Sequence, residues 1–166
     1  MFNQSNFGKT NENSGYSLIE VLVVLSLLAA LLLFSAQGYQ HIRAAIEARI
    51  VLSRLITLIH YARSEAIRMG GKVIICRSKD GYSCSGNWSD GQIVWINEQK
   101  PHVLLAFGAV KQGKLSFRAF QSSDFLRFIP NGATFEQNGS FTYCINQTSK
   151  PAWTLIVEKS GRIRVV

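Results

Sequence analysis

Two arginines near the C-terminal end of the chain have the spacing of a phosphate-binding pair. Arg162 and Arg164 are separated by one residue in the segment VEKSGRIRVV, which begins at Val157. This segment predicts a hairpin that turns at Ser160 and Gly161, with both arginine side chains on one face of a strand, about 6.6 Å apart at their base. A guanidinium group keeps its charge and binds phosphate through two parallel hydrogen bonds. The pair could contact neighbouring phosphates, or it could equally blunt an edge strand against pairing with other chains.

Further basic residues surround this pair. Lys159 lies at the predicted turn, and Lys150 lies in the loop before it. A second basic group, which the sequence does not place relative to the first, consists of Lys111, Lys114, Arg118 and Arg127. The chain has a net charge of +8, and residues 100–166 hold nine basic residues and three acidic ones. This excess suggests a nucleic acid or an anionic lipid surface as partner, although a basic soluble domain would have the same composition.

A carboxylate stands near the start of a long apolar run. Glu20 is the only ionisable residue in the 19 residues from Leu18 to Ala36. As a helix this run is about 28 Å long, close to the hydrocarbon thickness of a bilayer. A secretory signal peptide would be shorter and would end in small residues, whereas Phe34 stands at the outer small position here. A plain membrane anchor leaves Glu20 unexplained, because a carboxylate in hydrocarbon costs about 2.5–3.5 kcal/mol and usually has a partner.

The cysteines and histidines do not form a metal-binding pattern. Cys76 and Cys84 flank a short turn-rich stretch and could close a disulfide loop in an oxidising compartment. Cys144 lies in a predicted strand and is interpreted as a buried free thiol, with pairing to either other cysteine left open. The three histidines are scattered, and neither a C-x-x-C motif, a nucleophile elbow nor a phosphate loop is present. We therefore expect no metal, no cofactor and no catalytic residues.

The remaining patterns predict one long helix followed by strands. Apolar residues recur at three- to five-residue steps between residues 37 and 69, so the helix that starts at Tyr16 continues to Gly70. The arginines on its polar face indicate either a solvated face or a DNA-binding face. Branched and aromatic runs separated by turn residues predict strands at 72–77, 92–97, 102–107, 114–120, 125–129, 140–146, 152–158 and 162–166. No helix separates these strands, so the sheets should be antiparallel.

The residues at the start of the apolar run resemble a known signal. GYSLIEVL, from Gly15, is similar to the class III signal of type IV pilins and type II secretion pseudopilins. The resemblance implies that a prepilin peptidase cuts after Gly15 and methylates Tyr16, which replaces the phenylalanine usual in the family. Glu20 then becomes the fifth mature residue. A free α-amine ordinarily has a pKa of about 7.7–8.0, so the new N-terminus is largely cationic near neutral pH, and Glu20 can neutralise it when mature subunits pack together.

The rest of the chain resembles the FimT/GspH group of minor pilins. The resemblance lies in RSEAIR from Arg63, the segment from Cys76 to Cys84, WSDGQIVW from Trp88 and the closing SGRIR. It implies an α+β fold in which a long N-terminal helix packs on two antiparallel β-sheets. The Gly-Arg-x-Arg ending, formed here by Gly161, Arg162 and Arg164, is similar to that of FimT-type minor pilins of DNA uptake.

Together these patterns lead to one expected organisation and function. We expect a leader at 1–15, a transmembrane and filament-core helix at 16–36, its amphipathic half at 37–70 and a periplasmic β-rich head at 71–166. Before assembly the protein would cross the inner membrane once, and it would then join major and other minor pilins in a pilus at the cell surface. The head would bind double-stranded DNA non-specifically through Arg162 and Arg164, helped by Gly161, Lys159 and Lys150, during natural transformation. A disulfide is expected between Cys76 and Cys84.

The alternative is a minor pseudopilin of a type II secretion system. Such a subunit would occupy or prime the tip of a pseudopilus and would not bind DNA. The basic C-terminal half favours DNA uptake.

Overall fold

A long helix opens the fold. The computed structural model describes residues 15–96, 102–120, 122–145 and 150–166. Helix α1 spans Leu18–Met69, so it begins two residues after the predicted start. The Ser17 carbonyl accepts hydrogen bonds from the backbone N–H groups of Glu20 and Val21, which forms the first turn. The helix ends at Gly70, whose φ of +64° is the left-handed conformation that favours glycine at this position.

Within the described parts of the chain, eight strands follow the helix, as the alternation of apolar residues predicts. They are β1 Val73–Arg77, β2 Gln92–Ile96, β3 His102–Phe107, β4 Lys114–Ala119, β5 Phe125–Phe128, β6 Gly139–Cys144, β7 Trp153–Val157 and β8 Ile163–Val165. Each bound lies within two residues of the prediction. Residues 1–14 of the leader expected at 1–15, and the predicted strand ends Asn97 and Asn146, lie outside the described residues.

The strands form two four-stranded sheets. The first has the order β3-β2-β1-β5 and the second the order β4-β6-β7-β8, and every pairing is antiparallel. The expected fold class is therefore confirmed. In the second sheet β6 lies between β4 and β7, with Phe117 opposite Phe141 and Phe141 opposite Leu155. This order decides which surface residues become neighbours.

The core lies between the later part of α1 and the inner faces of both sheets. The described residues from His41 to Val166 form one compact unit, and those from 15 to 40 form another. On α1, Leu55, Ile59, Ala62 and Ala66 are fully buried at steps of three or four residues. Trp153 on β7 donates its indole N–H to the Ala48 carbonyl at 2.8 Å, which fixes the helix against the second sheet.

Among the residues that the structure describes, no helix is both long enough and apolar enough to cross a membrane. The membrane span expected at 16–36 stays a prediction.

The cysteine geometry agrees with one expectation and corrects another. Cys76 and Cys84 form a disulfide, with their Cα atoms 5.6 Å apart. Cys144 is a free thiol, but it is half-buried rather than buried. The reason is its register on β6, where it pairs with the exposed Lys114 at a position that alternates with the buried Tyr143.

Asp80 organises the loop that the disulfide closes. Its carboxylate accepts hydrogen bonds from the Ser83 hydroxyl at 2.6 Å, from the backbone N–H groups of Ser83 and Tyr82 at 2.9 Å, and from the Ser78 hydroxyl at 3.0 Å. The bonds from Ser83 and then from Tyr82 hold the pKa of Asp80 well below its usual range. The loop is therefore fixed by both a covalent bond and an ionised carboxylate.

Candidate nucleic-acid interface

The C-terminal hairpin presents the two arginines as the sequence predicts. The Gly161 N–H donates to the Glu158 carbonyl, and the Glu158 N–H donates to the Arg162 carbonyl, both at 2.9 Å. Strand β8 then pairs with β7, with Arg164 opposite Ile156. Arg162 and Arg164 are exposed, whereas Ile163 between them is half-buried and packs against the core. The two guanidinium groups therefore belong to the solvent face of the second sheet.

Gly161 is not on the surface, where a residue that contacts DNA would have to lie. It is buried, with a φ of +77°, and an added Cβ would lie 2.3 Å from the Gly132 carbonyl oxygen. The Arg63 side chain of α1 donates to the Gly161 carbonyl at 3.2 Å. Gly161 therefore shapes the turn from within and offers no surface for DNA.

The turn beside the arginines is held by buried polar residues. The Lys159 carbonyl accepts from the backbone N–H of Thr134 at 2.9 Å and from its hydroxyl at 3.2 Å. Thr134 also donates to the Gln137 carbonyl, and the Gln137 side chain in turn accepts from the Arg127 backbone N–H at 2.8 Å. Thr134 and Gln137 are both buried. The Lys159 side chain is thus exposed on a turn that the β5–β6 connection fixes in place.

Two basic residues of β4 share the solvent face with the arginine pair. Arg118 lies opposite Ser140, Ser140 opposite Ile156, and Ile156 opposite Arg164. Because residues directly opposite one another in a ladder point to the same side, Arg118 and Arg164 lie on one face, about 14 Å apart across three strand spacings. We call this surface the outer basic face and define it by Lys114, Arg118, Arg162 and Arg164.

The other members of the second basic group lie elsewhere. Arg127 belongs to β5 in the first sheet, where its guanidinium lies 5.0 Å from the Phe125 ring centroid and 5.7 Å from that of Phe135. Lys111 lies in the turn before β4, and its backbone N–H donates to the Glu47 carboxylate at 3.0 Å. The structure therefore divides a group that the sequence could not place.

Lys150 does not join the turn end of the hairpin. It precedes β7, whereas Lys159 follows β7, and five strand residues, about 16 Å, separate the two ends. Lys150 and Lys159 therefore lie at opposite ends of β7, and a contact of Lys150 with DNA stays a prediction. The ladder position opposite Arg162 is occupied by Glu158, so one carboxylate borders the outer basic face.

A shallow groove crosses this face between Arg118 and the arginine pair. It is lined by residues 138–140 and 156–159. Ser140 supplies little side-chain volume at the floor, so an extended chain could lie across the strands here, whereas Gly139 faces the inner side of the sheet, where an added Cβ would meet Ala119 and Phe117. Sequence reasoning missed this groove because its two walls come from β6 and β7, whose pairing no local pattern specifies.

The N-terminal candidate residues lie together in the other unit. Gly15 and Tyr16 are exposed ahead of the first turn of α1, and Glu20 lies within that turn. Tyr16 and Glu20 line a small apolar pocket with Val21, Val24 and Leu25. The predicted cleavage point is thus accessible, and the carboxylate lies close to the residue that cleavage would make the N-terminus.

Two family models match the chain. The model described as Type II transport protein GspH matches residues 52–161, well over half of the chain. The model described as Prokaryotic N-terminal methylation motif matches residues 10–36, which include Gly15, Tyr16 and Glu20. No curated protein matches the sequence.

Solved structures of minor pilins and pseudopilins have a similar fold. The type IV minor pilin FimU of Pseudomonas aeruginosa aligns with a TM-score of 0.52 and 21% identity, over 78% of this chain and 90% of that one. The minor pseudopilin EpsH from the Type 2 Secretion System of Vibrio cholerae aligns with a TM-score of 0.54 and 11% identity, over 72% of this chain and 95% of that one. At these identities the likeness concerns the fold alone.

Proposed function

The chain belongs to the GspH family of type IV minor pilins and pseudopilins, and from this premise we propose that it is a minor pilin that joins pilus fibres and binds double-stranded DNA during uptake. Binding would be non-specific and would run through Arg162 and Arg164. The observation that carries the proposal is the outer basic face, on which two cations of β4 and two at and just before β8 lie on one exposed surface.

The chemistry of this face suits a phosphate backbone rather than base edges. Arg162 and Arg164 start about 6.6 Å apart along β8, and Arg118 lies about 14 Å away across the sheet. Such spacing allows several phosphates to be contacted at once without reading sequence. Affinity of a single head would be modest, with a dissociation constant of roughly 10⁻⁴ to 10⁻⁶ M. Several heads on one fibre would hold DNA through avidity.

A DNA titration with the full chain in nonionic detergent tests this proposal. Fluorescence anisotropy with a labelled duplex would be measured at several salt concentrations for the wild type and for Arg162→Ala/Arg164→Ala. Loss of two phosphate contacts should weaken binding and reduce the slope of log K against log salt by about 2. The matched control is Arg49→Ala/Lys79→Ala, which removes the same charge from exposed positions on α1 and on the β1–β2 loop.

The outcomes separate a local contact from a general charge effect. If both double variants bind as weakly as each other, net charge rather than the hairpin governs binding. If the wild type does not bind, or the hairpin variant binds like the wild type, the proposal fails.

The N-terminal region supports a second part of the same proposal. We propose that a prepilin peptidase removes residues 1–15 and methylates Tyr16, and that Glu20 neutralises the new amine as subunits assemble. The methylation-motif match over residues 10–36 supports this role. The protein would be held in the inner membrane with its head in the periplasm before assembly. Mass spectrometry of the mature N-terminal peptide tests it: a peptide that begins elsewhere than Tyr16 contradicts the proposed cut.

One observation favours the pseudopilin alternative. The family model is itself described as a type II transport protein, and EpsH, a minor pseudopilin, shares the fold. In that case the head would prime or occupy a pseudopilus tip without binding DNA. Members of both groups are structural subunits, and we propose no catalysis by this chain beyond its being a substrate of the peptidase.

A further inference from the structure

We propose that Phe120 stacks on an unpaired nucleobase, so that the outer basic face takes DNA with single-stranded segments in addition to duplex. This inference rests on the proposed function, since it concerns the same face. Its starting observation is that Phe120 is 87% exposed at the end of β4, beside Arg118.

The ladder places Phe120 in line with the arginine pair. Its N–H donates to the Asn138 carbonyl at 3.3 Å, which continues the β4–β6 register one residue beyond Ala119. Extending the same registers, Asn138 aligns with Glu158, and the Glu158 N–H bonds to the Arg162 carbonyl. Phe120 therefore lies about 14 Å from Arg162 across the sheet and about 6.6 Å from Arg118 along β4.

The position of Phe120 is unusual among the aromatic residues of this sheet. Phe117, Phe141, Tyr143 and Trp153 are all buried on its inner face. Phe120 follows Phe117 by three residues, so the alternation of side chains along the strand places its ring on the opposite, solvent-facing side. Burial therefore does not stabilise this ring. An exposed aromatic ring on the same face as Arg118 and the arginine pair has the arrangement found in binding sites for single-stranded nucleic acid.

The chemistry of the face fits a single strand. Proteins that bind single-stranded nucleic acid combine a basic groove along the backbone with aromatic rings on which bases stack. Here the groove lies between Phe120 with Arg118 on one side and Arg162 with Arg164 on the other. A strand crossing it could place phosphates against the arginines and one base against the ring. Stacking of that base should raise affinity about 5- to 150-fold.

The test compares two DNA ligands with the full chain in nonionic detergent. One is a labelled oligothymidylate, and the other is a closed duplex whose strands are joined at each end by a hexaethylene glycol linker, so that it contains no unpaired bases. Phe120→Ala should weaken oligothymidylate binding about 5- to 150-fold and leave the closed duplex unchanged. Phe120→Trp should retain or strengthen oligothymidylate binding. The matched control is Tyr82→Ala, which removes an aromatic ring of 81% exposure from the β1–β2 loop and should change neither ligand.

The outcomes distinguish failure of this inference from failure of the proposed function. If Arg162→Ala/Arg164→Ala weakens both ligands while Phe120→Ala weakens neither, or weakens both equally, stacking is refuted and the proposed function stands. If the arginine variant binds both ligands like the wild type, the proposed function itself is refuted. Because Phe120 is exposed, its replacement leaves the core intact, and tryptophan fluorescence checks this.

Discussion

Replacing Gly161 by alanine measures how strongly the C-terminal hairpin is fixed. Gly161 has a φ of +77°, and an added Cβ would lie 2.3 Å from the Gly132 carbonyl oxygen. That oxygen belongs to the backbone and cannot rotate away, so the hairpin or the 131–133 turn must move. The same movement would disturb the hydrogen bond from Arg63 to the Gly161 carbonyl.

A second glycine separates the free-energy cost of the left-handed backbone conformation from the cost of the close contact with Gly132. Gly81 has a nearly identical φ of +78°, but its added Cβ would have no atom within 4 Å. Alanine in the left-handed conformation costs about 1–2 kcal/mol, which is the whole effect expected for Gly81→Ala. At Gly161 the forced contact adds about 1–3 kcal/mol, typical of an overpacked site. We therefore expect Gly161→Ala to lower the free energy of unfolding by about 2–5 kcal/mol.

Urea unfolding followed by tryptophan fluorescence measures both variants. Trp88, Trp95 and Trp153 all lie in the unit that contains the hairpin, so the signal reports on that unit. A loss for Gly161→Ala no greater than that for Gly81→Ala would refute the close approach of the hairpin to Gly132. It would also remove the structural explanation for a glycine before the arginine pair.

Three further outcomes follow from the surface and the loop. Glu158→Gln removes the carboxylate opposite Arg162 and should strengthen DNA binding in low salt, with the gain fading as salt rises; weaker binding in the same titration would contradict this. Reducing the Cys76–Cys84 disulfide should lower the free energy of unfolding in urea by about 2.6 kcal/mol, from the nine-residue loop that it closes. The Cys144→Ser variant should lose the same free energy of unfolding when it is reduced, because Cys144 is not part of the bridge. If dithiothreitol leaves the urea midpoint of the wild type or of this variant unchanged, the pairing of Cys76 with Cys84 is refuted. Hydrogen bonds from Ser83 and Tyr82 lower the pKa of Asp80 in the folded protein. The ionised carboxylate therefore stabilises the fold above about pH 4, and this stabilisation is lost as the pH falls toward the lowered pKa. Asp80→Asn should therefore flatten the rise of stability with pH between about 2 and 4 in urea titrations, and an unaltered pH profile would contradict this role.

Local patterns were sufficient for most of the fold. The eight strands were predicted within two residues because β-alternation has a period of two and turn residues mark its ends. The arginine pair was predicted on one face of a strand for the same reason, and the structure shows that this face is exposed while Ile163 packs against the core. The disulfide joins residues only eight apart, so the spacing alone made it possible.

Long-range pairing decided the parts that local patterns could not predict. The sequence offered both Lys150 and Lys159 as neighbours of the arginine pair, and the structure puts them at opposite ends of β7. It predicted burial for Cys144, whose register instead gives it the half-exposed position opposite Lys114. It also treated Gly161 as part of the binding surface, because the Gly132 turn that covers it comes from a connection about thirty residues earlier.

Residues near one another in the chain were therefore enough to predict the N-terminal signal, the helix and the strands, and the alternation of side chains along each strand. The placement of β4 and β8 in the same sheet, with β6 and β7 between them, depends instead on the fold as a whole. That order sets Arg118 about 14 Å from Arg164 and sends Arg127 to the other sheet. Strand order depends on contacts between distant residues, and no alternation within a single strand encodes it.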